Sequence, residues 1–451
     1  MICDDRFASH ARLGIQAAAL LPEWEKQLLQ IPPAGAELAL LPRCDSALEQ
    51  LAFDCLLMDW LYDDRFRYLA LQENGMLLPH MMPDFNGQGA YFSGHPVHPG
   101  KCFEIVKYLL GNAAAELERG DIPEFCRRAG ILGHFLQDLT APNHNISSEI
   151  LRQLFPDPVK DRVSGFKFCY EIAPDLGGKS PEIMGNSLER AAFFITDRAL
   201  KYACRSREFL PELVKAGYLR DQVRCRDILR VPARWAVELT ACAWHTVFAL
   251  VFDRMDGGEF PDSIPLSQLF CAYHHPDIYK YAPGDCFCFD GSCTPLKLIG
   301  EAEGKCGIAL TGHSGMKYFT GGIFSGIRFT VGLADHPSSY DEHIDLDFSV
   351  ETDDRWCEQV SEDMEYGCFR RAGRRITGSM ECQRMDVDIS GAHTLVFASK
   401  AAPYTDSRGV VSFAIPHIGI TEPVLYFKHK KNNNRSPAGR ESGDRRNHQR
   451  H

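Results

Sequence analysis

Residues 130–144 read Gly130-Ile131-Leu132-Gly133-His134-Phe135-Leu136-Gln137-Asp138-Leu139-Thr140-Ala141-Pro142-Asn143-His144. Apolar residues recur at helical spacing as far as Leu139, and Pro142 ends the helix. His134 and Asp138 stand four apart, so their side chains share one helix face. Ile131, Leu132, Phe135, Leu136 and Leu139 make this an apolar helix that should be largely buried. A carboxylate in such a place is costly unless it is paired or bound to a cation. The turn at Pro142 can bring His144 back to the same side. Imidazole nitrogen together with carboxylate oxygen suits zinc, and an open coordination position makes such a site catalytic. A satisfied His–Asp pair in a helical core is the competing reading.

Helical spacing also runs over residues 10–21, 99–118, 123–139, 187–203 and 232–255. Several of these segments open on Pro, or on a Ser, Asp or Asn able to cap the first turn. Gly120-Asp121-Ile122-Pro123 is such a start, and Asp256-Gly257-Gly258 is a stop. Beyond Gly258 the pattern changes. Residues 261–295 are loop-like, whereas residues 322–333, 343–351, 384–389 and 394–399 alternate and are rich in β-branched and aromatic side chains. The expected fold class is multidomain α and β. An all-α domain over 1–257 is followed by a linker over 258–295, an all-β jelly-roll-like sandwich over 296–427 and a disordered basic tail over 428–451.

The chain has 451 residues, 45% hydrophobic and 24% charged, which excludes wholesale disorder, a collagenous repeat and a coiled-coil rod. No apolar run approaches the roughly 18 residues that span a bilayer. The net charge of −11 conceals a split, because the tail from Lys428 carries eight Lys and Arg against two acids. The remainder is therefore acidic, about −17, which makes nucleic acid an unexpected partner. Seventeen Cys, scattered from Cys3 to Cys382, suit reduced thiols better than a full set of disulfides. The start, MICDDRFASHARLG, shows no basic region followed by an apolar core. A cytoplasmic location is expected for the sequence as it stands, and a secreted one if the chain is truncated.

The stretch around 121–144 resembles the bacterial zinc-dependent phospholipase C family, whose relatives include zinc single-strand nucleases. The family helix carries H-x-x-x-D, and six residues later a His that follows a Pro. His134, Asp138 and His144 stand in that register. The resemblance extends over about residues 7–255 and implies an all-α fold holding two or three zinc ions. By that resemblance His10, opening the first helix, is a metal ligand. Asp59, in Cys55-Leu56-Leu57-Met58-Asp59-Trp60, binds metal and acts as base. His80 is a further ligand, preferred over His95 and His98 because the Asn86-Gly87 and Tyr91 that follow it also match. The closing His and Glu of the family fall on Lys167 and Glu171. A protonated Lys cannot ligate zinc, so that site is weak, lost or rearranged, with Glu149 as an alternative ligand. The implied metal set is thus His10, Asp59, His80, His134, Asp138, His144 and Glu171, with Asp59 catalytic.

Residues 296–425 resemble the NPCBM family of carbohydrate-binding β-sandwiches, on Gly307-Ile308 with His313-Ser314 and on Asp386-Val387-Asp388-Ile389-Ser390-Gly391. The resemblance implies a carbohydrate partner, with Trp356, Tyr318 and Tyr340 as candidate aromatic platforms. Cys286, Cys288 and Cys293 read as reduced cysteines around a hairpin turn at Asp290-Gly291 rather than as a metal clip. Taken together, the expectation is a zinc-dependent phosphodiesterase acting on phospholipid or another phosphodiester. The alternatives are a zinc nuclease-like enzyme and a catalytically degenerate helical domain in a carbohydrate-binding or scaffold protein.

Overall fold

The computed structural model describes residues 8–32, 44–57, 99–145, 180–255, 260–274, 296–312, 314–335, 337–353, 369–378, 380–414 and 416–428. Among these, helices come first and strands follow. The helices are α1 (Ala8–Leu20), α2 (Glu23–Leu28), α3 (Ala47–Phe53), α4 (Pro99–Arg119), α5 (Ile122–Thr140), α6 (Leu188–Ser206), α7 (Leu210–Tyr218) and α8 (Gln222–Val251). Short 3-10 turns lie at Asp54–Leu56, Pro142–Asn145 and Arg207–Phe209. No described helix is long and apolar enough to cross a membrane.

Local chemistry sets most helix starts. Asp121 caps α5 by accepting from Glu124 N, Ser187 caps α6 through Arg190 N, and Ser46 caps α3 through Glu49 N. One start differs from expectation. Pro232 was to open the last helix, yet it lies inside α8, which begins ten residues earlier where Asp221 accepts from Arg224 N. Proline removes one hydrogen bond there. Buried Cys225, Ile228 and Leu229 continue the apolar face across it, so packing outweighs the local cost.

The strands are β1 (Ser263–Pro265), β2 (Cys271–His274), β3 (Gly307–Thr311), β4 (Ser314–Phe319), β5 (Phe324–Leu333), β6 (Asp345–Asp353), β7 (Phe369–Thr377), β8 (Gln383–Asp388), β9 (Thr394–Ala401), β10 (Pro403–Thr405), β11 (Val411–Phe413) and β12 (His417–Phe427). All pairings between them are antiparallel. One large sheet runs β1-β12-β5-β8, with β3 also on β12; the other large sheet runs β2-β4-β9-β6-β7, and β10 and β11 form a two-stranded sheet. The faces of the two large sheets meet through Phe329 of β5, whose ring lies 5.3 Å from Phe397 of β9 and 6.1 Å from Phe348 of β6. That contact makes the pair a sandwich. Residues 263–265 and 271–274, within the stretch expected to be loop-like, supply β1 and β2. They form strands because β12 and β4 offer them open edges.

Helices and sandwich share one continuous apolar core. Phe319 of β4 packs 5.5 Å from Phe103 of α4 and 5.9 Å from Phe193 of α6, and Phe194 lies 5.9 Å from Phe427. Polar bonds add direction, since Asp197 accepts from Phe270 N at 2.7 Å. Tyr318, a candidate sugar platform, is fully buried and belongs to this core. Eight of the described cysteines are free thiols, as expected. Cys306 departs from that expectation and is disulfide-bonded.

Candidate metal centre

The 3-10 turn after α3 is wedged between α1 and α5, and two glycines permit the close approach. A Cβ on Gly14 would stand 2.6 Å from Ala52 O, and one on Gly130 would stand 2.5 Å from Asp54 Cβ. His10 lies one turn before Gly14, and His134 lies one turn after Gly130. Two helices pressed against the same short segment therefore set the two imidazoles side by side. Their rings stack at 4.0 Å.

Both rings are oriented from behind. His134 Nδ1 donates to Cys55 O at 2.6 Å, and His10 Nδ1 donates to Gln137 Oε1 at 2.8 Å. A carbonyl and an amide oxygen can only accept, so each ring carries its proton on Nδ1 and turns Nε2 forward. Forward of both is Asp138, buried at the end of α5. His10 Nε2 lies 3.5 Å from Asp138 Oδ1, and His134 Nε2 lies 3.1 Å from Asp138 Oδ2. His144, on the 3-10 turn after Pro142, adds a third imidazole, its Nε2 3.4 Å from Asp138 Oδ1. His144 is the most exposed member of the group.

This donor set fits zinc. Two ligands each about 2.0–2.1 Å from a tetrahedral zinc ion stand roughly 3.3 Å apart, which is the spacing between imidazole nitrogen and carboxylate oxygen here. The ligand atoms of His10, His134 and Asp138 all lie within 4.8 Å of one another. His10, His134 and Asp138 make a close set of electron-pair donors, and His144 faces the same carboxylate.

The structure thus brings together His10, His134, Asp138 and His144. Asp59, His80 and Glu171 lie outside the described residues, as do Lys167, His95, His98, Glu149, Trp356 and the Cys286–Cys288–Cys293 group. The two supports were not anticipated. An amide beside an acid, as at Gln137, carries no motif, and a backbone carbonyl such as that of Cys55 leaves no mark in a sequence. The available signal was a glycine one helical turn from each histidine.

Behind the site, burial pushes the Asp54 carboxyl up to about 7, against weaker opposing effects of the Gln50 hydrogen bond and the Arg127 charge. Burial likewise raises the Cys55 thiol, so it is neutral beside Gln137. A separate cavity of about 580 Å³ between helices and sandwich, lined by Arg190, Phe194, Arg198, Tyr202 and Phe427, includes none of the clustered residues.

Gly130→Ala is expected to destabilise the protein by about 1–3 kcal/mol, the usual range for overpacking. It should also move His134 away from Cys55 O. Denaturant unfolding together with a zinc-binding titration checks both effects, and unchanged values in both would refute this account of the wedge.

No family model matches the chain, and no curated protein matches its sequence. Among solved structures it is similar to Clostridium perfringens alpha-toxin from an avian strain, at 11% identity, covering 92% of this chain and 87% of that one, with a TM-score of 0.32. It is also similar to CBM51 from Clostridium perfringens GH95, solved in complex with methyl-galactose. There the identity is 19%, the coverage 36% of this chain and 99% of that one, and the TM-score 0.25. A third similarity is to the M60 catalytic domain with the CBM51-1 and CBM51-2 domains of Clostridium perfringens ZmpB, at 15% identity over 37% of this chain, with a TM-score of 0.25. The chain spans 15% of that structure's length. The structural neighbours therefore include an alpha-toxin over most of the chain and CBM51 modules over little more than a third of it.

Proposed function

We propose that the helical half is a zinc-dependent hydrolase of phosphodiesters, acting on phospholipid headgroup esters. The observation that carries this reading is the convergence of His10, His134 and His144 Nε2 on the buried Asp138 carboxylate. In this reading those four residues hold the metal. Zinc supplies charge stabilisation at a phosphoryl oxygen and lowers the pKa of a bound water. Gln137 and Cys55 O keep the Nδ1 protons of His10 and His134 pointing away from the metal, so both Nε2 lone pairs are available to it. Asp138 holds the negative charge that offsets the cation. Leu136 and Leu139, near it in α5, are buried. Asp59 is proposed as the base, and His80 and Glu171 as further ligands, on the resemblance of their segments to the phospholipase C family.

For the sandwich we propose carbohydrate binding, resting on the NPCBM-like blocks at 307–314 and 386–391. Tyr340, 65% exposed, remains an available aromatic platform.

The deciding assay measures hydrolysis of phosphatidylcholine and of single-stranded DNA by zinc-loaded protein. Release of a phosphorylated headgroup supports the proposal, and DNA cleavage alone favours the nuclease alternative. Turnover of neither, with stoichiometric zinc bound, supports the degenerate domain.

A further inference from the structure

The corner between α7 and α8 exposes several large apolar side chains close together in sequence. Leu219 is 69% exposed, more than any other large hydrophobic among the described residues, and Val223 is 61% exposed. Tyr218 and Val231 flank them and are also exposed. Cations surround these tips. Lys215, Arg220, Arg224 and Arg230 all face solvent. Residues 215–231 hold five Lys and Arg against two acids, in a chain of net charge −11. The ion pairs of Arg224 with Glu212 and of Arg230 with Asp227 are exposed, so they hold the arginines only weakly.

Arg220 adds an independent observation. Its φ is +57°, the left-handed conformation that closes a helix and is usually served by glycine. The closing bonds are present, Arg220 N to Gly217 O at 3.1 Å and Asp221 N to Ala216 O at 2.9 Å. Arg220 thus stands exposed at the turn between the two helices.

The corner also lies at the end of the bundle where the histidines are. Trp244 donates to Ala129 O, and Gly133 packs against Thr240 and Trp244, so α8 runs antiparallel to α5. The start of α8 therefore extends beyond the Asp138 end of α5. Asn145, next to His144, donates to Ser206 Oγ at 2.7 Å, only four residues before α7 begins.

We propose that the α7–α8 corner docks the protein on a bilayer rich in anionic phospholipid. Leu219 and Val223 enter the interface, while Arg220 and Arg224 contact lipid phosphates. This rests on the phosphodiesterase reading, in which the substrate is presented on that surface. Aliphatic tips ringed by cations match a membrane interface. A nucleic acid would engage the arginines and leave Leu219 and Val223 in water, since it rewards aromatic stacking.

Sedimentation of the full chain with phosphatidylcholine vesicles, with and without phosphatidylglycerol, tests the proposal. Binding to the anionic vesicles, weakened by salt, is expected. Arg220→Gln with Arg224→Gln should lower the partition coefficient about 25-fold, at about fivefold per lost contact. Leu219→Ser with Val223→Ser should lower it about tenfold or more. Both double variants should keep the wild-type melting curve and its hydrolysis of a soluble phosphodiester.

His134→Ala separates the two readings, because it should abolish hydrolysis and leave vesicle binding intact. A wild-type protein that stays in the supernatant with anionic vesicles at low salt overturns the docking proposal. So do corner variants that sediment like wild type, or a protein that binds single-stranded DNA through these arginines but no vesicle.

Discussion

Asp138→Asn is expected to strip the protein of metal and of hydrolytic activity while leaving the helical bundle folded. Asn keeps the shape of the side chain and removes its charge, so the loss reports electrostatics rather than volume. Outer-shell partners of a metal site are typically worth about 10–100-fold in affinity, and a direct ligand that faces three imidazoles should be worth at least about a hundredfold. Metal that binds only the folded state adds to stability by mass action. Chelation should therefore lower the melting temperature of the wild type and barely move that of Asp138→Asn. The measurements are zinc content per chain and thermal melting with and without chelator. Less than one zinc per wild-type chain, or a wild-type melting curve indifferent to chelator, would sink the metal centre and the enzymatic reading with it.

Asp54→Asn should stabilise the protein at neutral pH by on the order of 4 kcal/mol, since about three pKa units at 1.36 kcal/mol each separate its folded and ordinary values. The carboxyl is buried and its pKa is raised from 3.8 to about 7. Its folded form holds a proton more tightly than the unfolded chain does. The stability this contributes is fully present below the ordinary carboxylate pKa, falls as pH rises from about 4 to about 7, and stays low above that. Asn has no proton to lose and still accepts the bond that Gln50 Nε2 makes to Asp54 Oδ1 at 2.6 Å. Urea midpoints of the two proteins should coincide near pH 4 and diverge towards pH 8. Parallel profiles across that range would contradict the assignment to Asp54.

Much of the scaffold was legible in residue pattern alone. The helices containing His10, residues 99–118, 123–139 and 187–203, and the strands over 322–333, 384–389 and 394–399, all lie within a few residues of their expected bounds, because burial on one face imposes a period of 3.6 or 2. What escaped was governed by partners distant in sequence. Pro232 sits mid-helix because the buried face of α8 continues through it. β1 and β2 are strands because sheet edges await them, and Tyr318 is a core residue because its ring faces Phe397 on the side of β4 that looks into the sandwich.

The sequence by itself determined that His134 and Asp138 share a buried helix face, since four residues on an α-helix make little more than one turn whatever surrounds them. It also determined that Pro142 would turn the chain and that helices precede strands. Only the tertiary structure decided that His10, more than a hundred residues away, stacks on His134. The same holds for Gln137 and the Cys55 carbonyl as the groups orienting the two rings, and for the shared core of helices and sandwich. Those relations depend on two glycines that let α1 and α5 close on residues 52–56, and close approach between distant segments leaves no period in a sequence.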